Sequence, residues 1–469
     1  MRQCAATPWW ILALAVVPLL AGCDLFTSMC DPAAPACGDG ALCQQFTTGE
    51  YRCAAPVRLR GHVLDLADDG PIAGARVQAV DANGSAAGTT GVTDEQGAYS
   101  IDVPALLDEN GTPVGGTYTL RVQAMSYQEF PSVIRPALPI DVSNAVQIEA
   151  EWVVENSLTT VKLMALLGDT SGLGSIAGTI LADKRAGVLV VADATVEAVT
   201  GFSDSNGEYV VFNVPAGSYD VRGFAAGVQL NPTPTTLQAG EAKTGVDLSQ
   251  SDRPLNTVSG NVQIVNAPGG AATSVILAVK STFVEAAGRG ATPPGLRAGD
   301  VKGAFTIENV PDGEYVVLAA FENDDLVRDP DQSIGGTMTV SIVLPDPVDG
   351  NVLVLSEGFK VTEALAVVSP GAAGPEEIAT PTPTLQWADD SSEDGYEIRV
   401  LDAFGQLVWT DEIGPVTGSA TVSHVYAGPA LEPASFYQFR VTSFRETGGQ
   451  RTAISATEDL RGVFFYLGN

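Results

Sequence analysis

The stretch that decides the fold is Asp204-Ser-Asn-Gly-Glu-Tyr-Val-Val-Phe-Asn-Val-Pro-Ala-Gly-Ser-Tyr219. The side-chain acceptor of Asp204 can fold back on the local backbone, and Gly207 supplies the positive φ that a tight turn needs. From Tyr209 onward, apolar residues alternate with the period of two that is typical of a strand. The stretch therefore predicts a turn, a strand, a second turn after Pro215 and a second strand.

The same pattern occurs three times, and the other copies begin with Asp94-Glu-Gln-Gly97-Ala-Tyr99 and Asp300-Val-Lys-Gly303-Ala-Phe305. The starts lie 110 residues apart from Asp94 to Asp204 and 96 residues apart from Asp204 to Asp300. This distance is the length of a small domain and is too long for a solenoid repeat. We expect the tyrosine rings to pack at the edge of a core with their hydroxyls on water or backbone; substrate stacking is the alternative.

Composition limits the class of protein. The 24 Lys+Arg against 56 Asp+Glu give a net charge of -32, which disfavours nucleic acid as a partner. Hydrophobic residues make up 45% of the chain and charged residues 17%, so it is not a disordered acidic tail. The 50 glycines and 29 prolines favour an all-β, turn-dense protein, and 469 residues predict several domains.

The N-terminus carries an export signal. An apolar run of 12 residues, Trp9–Leu20, is too short to span a bilayer and leads into Leu20-Ala-Gly-Cys23. This sequence resembles the lipobox of bacterial lipoproteins, which implies removal of residues 1–22 and a lipid on Cys23 that anchors the chain to a membrane. An ordinary secretory signal is the alternative. We expect a location in the bacterial cell envelope, with the outer membrane or cell surface favoured. The inner membrane is the alternative, because Asp24 directly follows the cysteine.

Four cysteines remain if Cys4 leaves with the signal and Cys23 carries lipid, namely Cys30, Cys37, Cys43 and Cys53. An even set in an exported chain predicts two disulfides, and spacing alone permits three pairings. Residues 23–55 resemble the first four cysteines of an EGF-like module, without its last two. That resemblance implies the pairs Cys30–Cys43 and Cys37–Cys53. We interpret the module as a disulfide-stapled spacer, with a ligand site as the alternative.

Each copy of the repeated stretch follows a strand with a central glycine: Gly61-His-Val63, Gly178-Thr-Ile180 and Gly260-Asn-Val262. The order of these patterns resembles the carboxypeptidase regulatory-like family, whose fold is a transthyretin-like Greek-key β-sandwich. The resemblance covers 57–172, 174–250 and, more weakly, 256–358. Alternation across Val146–Val153 predicts a closing strand for the first sandwich.

The pattern changes near residue 361. Leu431-Glu-Pro433-Ala-Ser-Phe-Tyr437 and its continuation resemble a strand corner of fibronectin type III domains, in which a tyrosine hydroxyl holds the upstream backbone. The resemblance places Trp387 in an early strand and Tyr396 on the facing sheet of a domain spanning 361–469. The aromatic run Val463–Leu467 is expected to close this sandwich, with an exposed docking strand as the alternative.

Catalytic motifs are missing from the sequence. Its two histidines, His62 and His424, fall in different predicted domains, whereas a catalytic zinc site draws on two or three. We therefore expect no enzyme and no cofactor. Three acidic clusters, Asp65–Asp69, Asp324–Asp331 and Asp389–Asp394, raise calcium as an alternative because oxygen-rich loops suit that ion.

These observations predict a non-catalytic lipoprotein, a rod of four β-sandwiches on a stapled base, which acts as a scaffold or adhesin. Its partners are the membrane, through lipid, and an unidentified protein or cell-surface glycan. A carbohydrate- or peptide-binding module is the alternative. The loops that differ between copies, Ala105–Gly116 and Ala286–Ala298, are the expected places for a function.

Overall fold

The computed structural model describes residues 29–30, 37–38, 40–81, 86–132, 135–194, 198–265, 273–284, 290–321, 339–356, 358–362, 365–390, 392–457 and 461–468. In these ranges the secondary structure is β-strands and three short 3₁₀ helices, which confirms the all-β class. No helix in the described ranges is both long and apolar enough to cross a membrane. The signal segment, Cys23 and Asp324–Asp331 lie outside the described residues.

A small disulfide module begins the described chain. Its strands are β1 (Leu42–Phe46) and β2 (Tyr51–Ala54), which pair antiparallel. Disulfides join Cys30 to Cys43 and Cys37 to Cys53, which are the pairs that the EGF-like resemblance implies.

The first sandwich alternates strands between two sheets. Its strands are β3 (Val57–Asp65), β4 (Arg76–Val80), β5 (Ala86–Val92), β6 (Ala98–Val103), β7 (Leu106–Leu107), β8 (Pro113–Gly115), β9 (Thr117–Gln123), β10 (Ile140–Asp141), β11 (Val146–Ile148), β12 (Glu151–Val154) and β13 (Val161–Leu163). One sheet has the order β10-β9-β4-β5, and the other has β11-β12-β3-β13 with β6 also on β3. The 3₁₀ helices Val142–Asn144 and Ser157–Thr159 connect the last strands.

The closing strand expected over Val146–Val153 is a hairpin instead. Strands β11 and β12 pair antiparallel, and Glu149 between them has a φ of 57°. This left-handed conformation reverses the chain. Strand β12 and the later β13 pair in parallel with β3, whereas β11 pairs with β12. Alternation could not reveal the reversal because both arms of the hairpin keep the same period of two.

The second and third sandwiches share one topology. The second contains β14 (Gly174–Leu181), β15 (Leu189–Asp193), β16 (Val199–Phe202), β17 (Glu208–Val214), β18 (Gly217–Phe224), β19 (Thr233–Leu237), β20 (Ala242–Lys243) and β21 (Leu248–Ser249). The third contains β22 (Asn256–Val265), β23 (Thr273–Val279), β24 (Arg297–Val301), β25 (Ala304–Val310), β26 (Gly313–Phe321), β27 (Val340–Leu344), β28 (Val352–Val354) and β29 (Phe359–Thr362), with the 3₁₀ helix Lys280–Thr282 after β23.

In both, the first strand pairs with the strand after the Asp-x-x-Gly turn and, in parallel, with two short closing strands: β17-β14-β20/β21 and β25-β22-β28/β29. The facing sheets are β16-β15-β18-β19 and β24-β23-β26-β27. Because β29 pairs with β22, the third sandwich reaches Thr362, past the expected start of the C-terminal domain at 361.

The fourth sandwich consists of β30 (Val367–Ser369), β31 (Glu376–Ile378), β32 (Thr384–Ala388), β33 (Gly395–Asp402), β34 (Leu407–Ile413), β35 (Thr421–Val425), β36 (Ser435–Thr447), β37 (Gln450–Ala456) and β38 (Val463–Tyr466). Its sheets are β30-β32-β35 and β31-β38-β36-β33-β34, with β37 on β36. Trp387 in the first sheet meets Tyr396 in the second edge to face, with ring centroids 5.5 Å apart. The aromatic strand β38 lies between β31 and β36, so it closes the sandwich rather than docking a partner.

The sandwiches do not form the rod in chain order that the sequence suggests. The fourth sandwich packs on the first: Leu401 and Ala403 are buried in the core cluster of the first sandwich. The guanidinium of Arg135, a residue only 6% exposed, donates to the carbonyl oxygens of Lys162 at 2.7 Å and Phe404 at 2.8 Å. A rod would leave this apolar surface in water, so its burial favours the folded-back arrangement.

The second and third sandwiches also share buried surface. Phe224 of β18 meets Tyr315 of β26 edge to face at 5.9 Å, and Leu189 and Val191 of β15 join the third core cluster. Strand β15 is therefore buried on both faces, although it belongs to an antiparallel sheet that could have faced water on one side.

Candidate functional site

The aspartates of the repeated stretch build turns. Asp204 Oδ1 accepts hydrogen bonds from the backbone N–H groups of Asn206 and Glu208, both at 2.9 Å. Asp94 Oδ1 does the same in the first copy, also at 2.9 Å. These carboxylates hold the chain reversal that the sequence predicts. The side chain of Asp300 in the third copy lies outside the described residues.

The first tyrosine of a copy spans its own sandwich. The Tyr99 hydroxyl donates to the carbonyl oxygen of Thr159 at 2.6 Å, and the Tyr209 hydroxyl donates to that of Val246. Both rings are buried, and burial raises the pKa of both hydroxyls. These tyrosines are core residues bonded to backbone, as expected, and they present no ring on which a substrate could stack.

The second tyrosine of each copy bonds to a turn. Its hydroxyl donates to the carbonyl oxygen of the proline in the preceding turn, 14 residues earlier in the first copy and four residues earlier in the other two, at 2.8, 2.8 and 2.9 Å in chain order. The pairs are Tyr118 with Pro104, Tyr219 with Pro215 and Tyr315 with Pro311. The repeated stretch is thus a folding signature in which these polar groups serve the fold.

The variable loop Ala105–Gly116 docks the disulfide module. Its strand β7 pairs in parallel with β1. The buried Gln44 donates to Ala54 O at 2.9 Å and accepts from the Ala105 N–H at 2.9 Å, so one side chain joins module and sandwich. Phe46 completes the contact, because it is 1% exposed within the first core.

The second variable loop is an interface as well. Residues 285–289 lie outside the described ranges, but the rest of Ala286–Ala298 contacts the second sandwich. The carbonyl oxygen of Pro294 accepts from the Ala226 N–H at 2.8 Å, and Leu296 is fully buried. The described parts of both loops therefore contribute contacts between units, since Ala105 bonds to Gln44 and Pro294 bonds to Ala226. That a function lies in these loops stays a prediction.

The two histidines stay apart. His62 is exposed on β3 of the first sandwich. His424, on β35 of the fourth, lies with Nε2 2.9 Å from Asp411 Oδ2 and stacks on the Trp409 ring at 5.9 Å. They do not form a common metal or catalytic site.

The carboxylates of two acidic clusters bond to the protein. In the first cluster, Asp65 accepts from the Tyr127 hydroxyl at 2.9 Å and Asp69 pairs with Lys162 Nζ at 2.5 Å. Among the described residues, three side chains that could bind a metal lie close together, and they are Cys30, Cys37 and Cys53. Their sulfur atoms are in disulfides.

The second cluster lies in the fourth sandwich. Asp390 Oδ2 accepts from the Ser443 hydroxyl at 2.7 Å, and Glu393 accepts from the Val416 N–H at 3.0 Å. Burial raises the pKa of the Glu393 carboxyl. These bonds link the loop to neighbouring strands and give it a structural part in the sandwich.

A single asparagine joins the first two sandwiches. Asn213, at the end of β17, has a φ of 58°, and its Oδ1 accepts from the Ser126 N–H at 2.7 Å. Its Nδ2 donates to the carbonyl oxygens of Ala124 at 3.0 Å and Tyr127 at 2.9 Å. Asn309 occupies the same place in the third sandwich with a φ of 60°, and its carbonyl oxygen accepts from the Gly227 N–H of the second at 2.8 Å. One turn of the repeat thus docks successive sandwiches.

Beside this contact lies a cleft of about 380 Å³ between the first and second sandwiches. Its lining residues are Gln123, Ala124, Tyr127, Gln128, Glu129, Leu166, Leu173, Ala198, Val199, Thr200, Phe212, Asn213 and Pro215. The cleft could not be predicted from the sequence, since its walls come from two sandwiches. The available signal was Asn213-Val-Pro215, whose recurrence at Asn309 marks a turn that docks a neighbour.

The family described as the Rha78A-like, N-terminal immunoglobulin domain matches residues 371–461, within the fourth sandwich. The match likens this part of the fourth sandwich to an immunoglobulin domain, and the strand topology shows tandem β-sandwiches along the chain. A search of curated proteins finds no match to the chain.

Similar solved structures include the Bacillus anthracis TIE protein, at 11% identity and a TM-score of 0.15, over 84% of this chain and 68% of that one. A streptococcal ancillary pilin is 13% identical with a TM-score of 0.17, over 65% of this chain and 99% of that one. A DUF3823 family protein from Bacteroides ovatus is 11% identical with a TM-score of 0.19, over 45% of this chain and 98% of that one.

Proposed function

We propose that the protein is a non-catalytic scaffold or adhesion protein of the bacterial cell envelope, held to a membrane by lipid on Cys23. The observation that carries the proposal is the docked disulfide module. Two disulfides suit an oxidising compartment outside the cytoplasm. The bonds of Gln44 to Ala54 and Ala105 hold the module firmly on the first sandwich, so an anchor at Cys23 would position the whole set of sandwiches.

The chemistry of the repeats supports a structural role. The tyrosine hydroxyls of the copies and the turn aspartates Asp94 and Asp204, which could otherwise have served a reaction, are bonded to backbone within their own sandwiches. As part of the proposal, the module is a truncated EGF-like unit. The three repeats are carboxypeptidase regulatory-like domains, and the fourth sandwich is fibronectin type III-like.

The anchor is tested by intact-mass measurement of protein purified from membranes. The expected mass corresponds to a chain that starts at Cys23 and carries acyl groups, and Cys23→Ser should move the protein to the soluble fraction. A wild-type chain without acyl groups would refute the anchor. Protease treatment of intact cells, with and without outer-membrane permeabilisation, then distinguishes the cell surface from the periplasm.

Ligand binding is the second candidate function, and the cleft between the first two sandwiches favours it. Ligand sites commonly form at domain interfaces, with a few polar groups directed into a pocket. This function is independent of the lipid anchor, because the cleft forms from residues 123–215 alone.

A further inference from the structure

We propose that the cleft between the first two sandwiches binds a neutral saccharide, through Gln123, Gln128 and Glu129. The inference rests on the second candidate function, ligand binding, and not on the scaffold role. The volume of the cleft, about 380 Å³, lies at the lower end of the range for ligand pockets, which suits a mono- or disaccharide.

The cleft is held in a fixed shape by bonds that cross it. Asn213 makes its three bonds to the first sandwich at 2.7–3.0 Å. Gln123, which is 7% exposed, donates from Nε2 to the carbonyl oxygen of Thr200 at 2.9 Å. The Tyr127 ring is held by its hydroxyl bond to Asp65 at 2.9 Å. A site that is already formed loses little entropy on binding.

The polar groups of the cleft that are not used in these bonds can form hydrogen bonds with hydroxyl groups of a ligand. With its Nε2 fixed, Gln123 offers its Oε1 as an oriented acceptor, and the half-buried Gln128 offers both donors and an acceptor. Glu129 adds acceptor oxygens while Arg121 lies 3.1 Å from its Oε1. Vicinal sugar hydroxyls both donate and accept, so they can use amide and carboxylate groups together.

The aromatic rings that line the cleft and the charges beside it further limit the class of ligand. Phe212 and Tyr127 line the cleft and can contact the apolar C–H face of a sugar ring. The cation of Arg121 lies over the Phe202 ring at 4.7 Å and beside Glu129, so it is not directed at an anionic ligand. The net charge of -32 disfavours anions as well, so these groups favour a neutral polyhydroxylated ligand over an anionic one.

The test is saturation-transfer NMR on the purified full chain with cellobiose, maltose and lactose as probes, and with glucuronic acid as the anionic comparison. We expect transfer to at least one neutral disaccharide and none to glucuronic acid. Gln128→Ala should weaken that binding about fivefold to tenfold, the loss of one or two hydrogen bonds. Gln263→Ala, at an exposed glutamine of the third sandwich, is the matched control and should bind like wild type.

Absence of transfer to all three disaccharides would overturn the proposal, and so would equal binding by Gln128→Ala. A neutral Gly-Ser heptapeptide run in parallel identifies a peptide site if it alone binds, which also refutes the saccharide. None of these outcomes bears on the lipid anchor, whose test is mass measurement, so the two proposals fail separately.

Discussion

The hydroxyl of Tyr99 donates a hydrogen bond to the carbonyl oxygen of Thr159 at 2.6 Å, across the strand that carries Gly61. This bond joins the strand after the Asp-x-x-Gly turn to the last connection of the first sandwich. Tyr209 repeats it with Val246, whereas Phe305 stands at that place in the third copy and has no hydroxyl.

Tyr99→Phe should lower the free energy of unfolding by about 1–3 kcal/mol, because the buried carbonyl of Thr159 loses its partner. Chemical denaturation of the full chain measures the loss. Tyr51→Phe, in the disulfide module, removes a hydroxyl from a partly exposed residue and should have little effect. Equal effects of the two variants would contradict the role assigned to this bond.

Gly178→Ala should destabilise the second sandwich by at least about 3 kcal/mol, the range of severe overpacking. A Cβ at this position would lie 2.0 Å from the carbonyl oxygen of Val246 and 3.1 Å from the Tyr209 hydroxyl. Gly172→Ala is the control, since its Cβ would meet nothing within 4 Å. Thermal unfolding compares them, and a wild-type melting temperature for Gly178→Ala would contradict the close approach.

Stability should fall steeply above about pH 10, the ordinary tyrosine pKa. Burial raises the pKa of the hydroxyls of Tyr99, Tyr118, Tyr209 and Tyr315. Above pH 10 the unfolded chain loses these protons while the folded chain keeps them, so the free energy of unfolding decreases as pH rises. Each tyrosine can contribute about 1.4 kcal/mol per pH unit.

Denaturant unfolding at pH 8 and pH 11 measures this slope, with tyrosinate absorbance to follow ionisation. Tyr99→Phe should show a smaller slope than wild type. The same slope in both proteins would contradict the contribution of Tyr99.

Asn213→Gly should loosen the first sandwich from the second while both stay folded. Glycine keeps the positive φ of 58° but removes the side chain that holds Ser126, Ala124 and Tyr127. Hydrogen exchange at the Ser126 amide should therefore become faster. Asn309→Gly is the control, because Asn309 contacts Gly227 through its backbone; unchanged exchange at Ser126 in Asn213→Gly would contradict the docking role.

Arg135→Met should separate the fourth sandwich from the first. The variant leaves the carbonyl oxygens of Lys162 and Phe404 without the guanidinium that bonds them at 2.7 and 2.8 Å. We expect a loss of about 3 kcal/mol in the coupling of the two sandwiches, seen as a separate unfolding transition of the fourth by tryptophan fluorescence. Lys302→Met removes the same charge at an exposed residue and is the matched control. It should unfold in a single transition, as wild type does.

Much of each single sandwich could be predicted from local pattern. The Asp204 turn and the inward tyrosines follow from turn residues and strand periodicity, which act over a few residues, whereas the place of Trp387 came from the fibronectin type III resemblance. The hairpin at Glu149 could not be predicted, because a glutamate with positive φ has no signal in a pattern of alternating residues.

The candidate site could not be predicted from the sequence for a different reason. Gln123 and Gln128 of the first sandwich meet Thr200 and Phe212 of the second only after both have folded and Asn213 has docked them. Neither glutamine belongs to a motif; Gln123 ends strand β9 and Gln128 lies in the loop that follows, where polar residues are ordinary.

The sequence by itself determined the all-β class, the three repeats and the turns that start them, since spacing and residue type act locally along the chain. The pattern that begins at the Asp204 turn also indicated which tyrosines lie in a core. Only the tertiary structure decided that the fourth sandwich folds back on the first at Arg135, and that Ala105 and Leu296 of the variable loops are buried. Those contacts join surfaces far apart in the chain, 269 residues for Arg135 and Phe404, whose fit is decided by packing rather than by any local pattern.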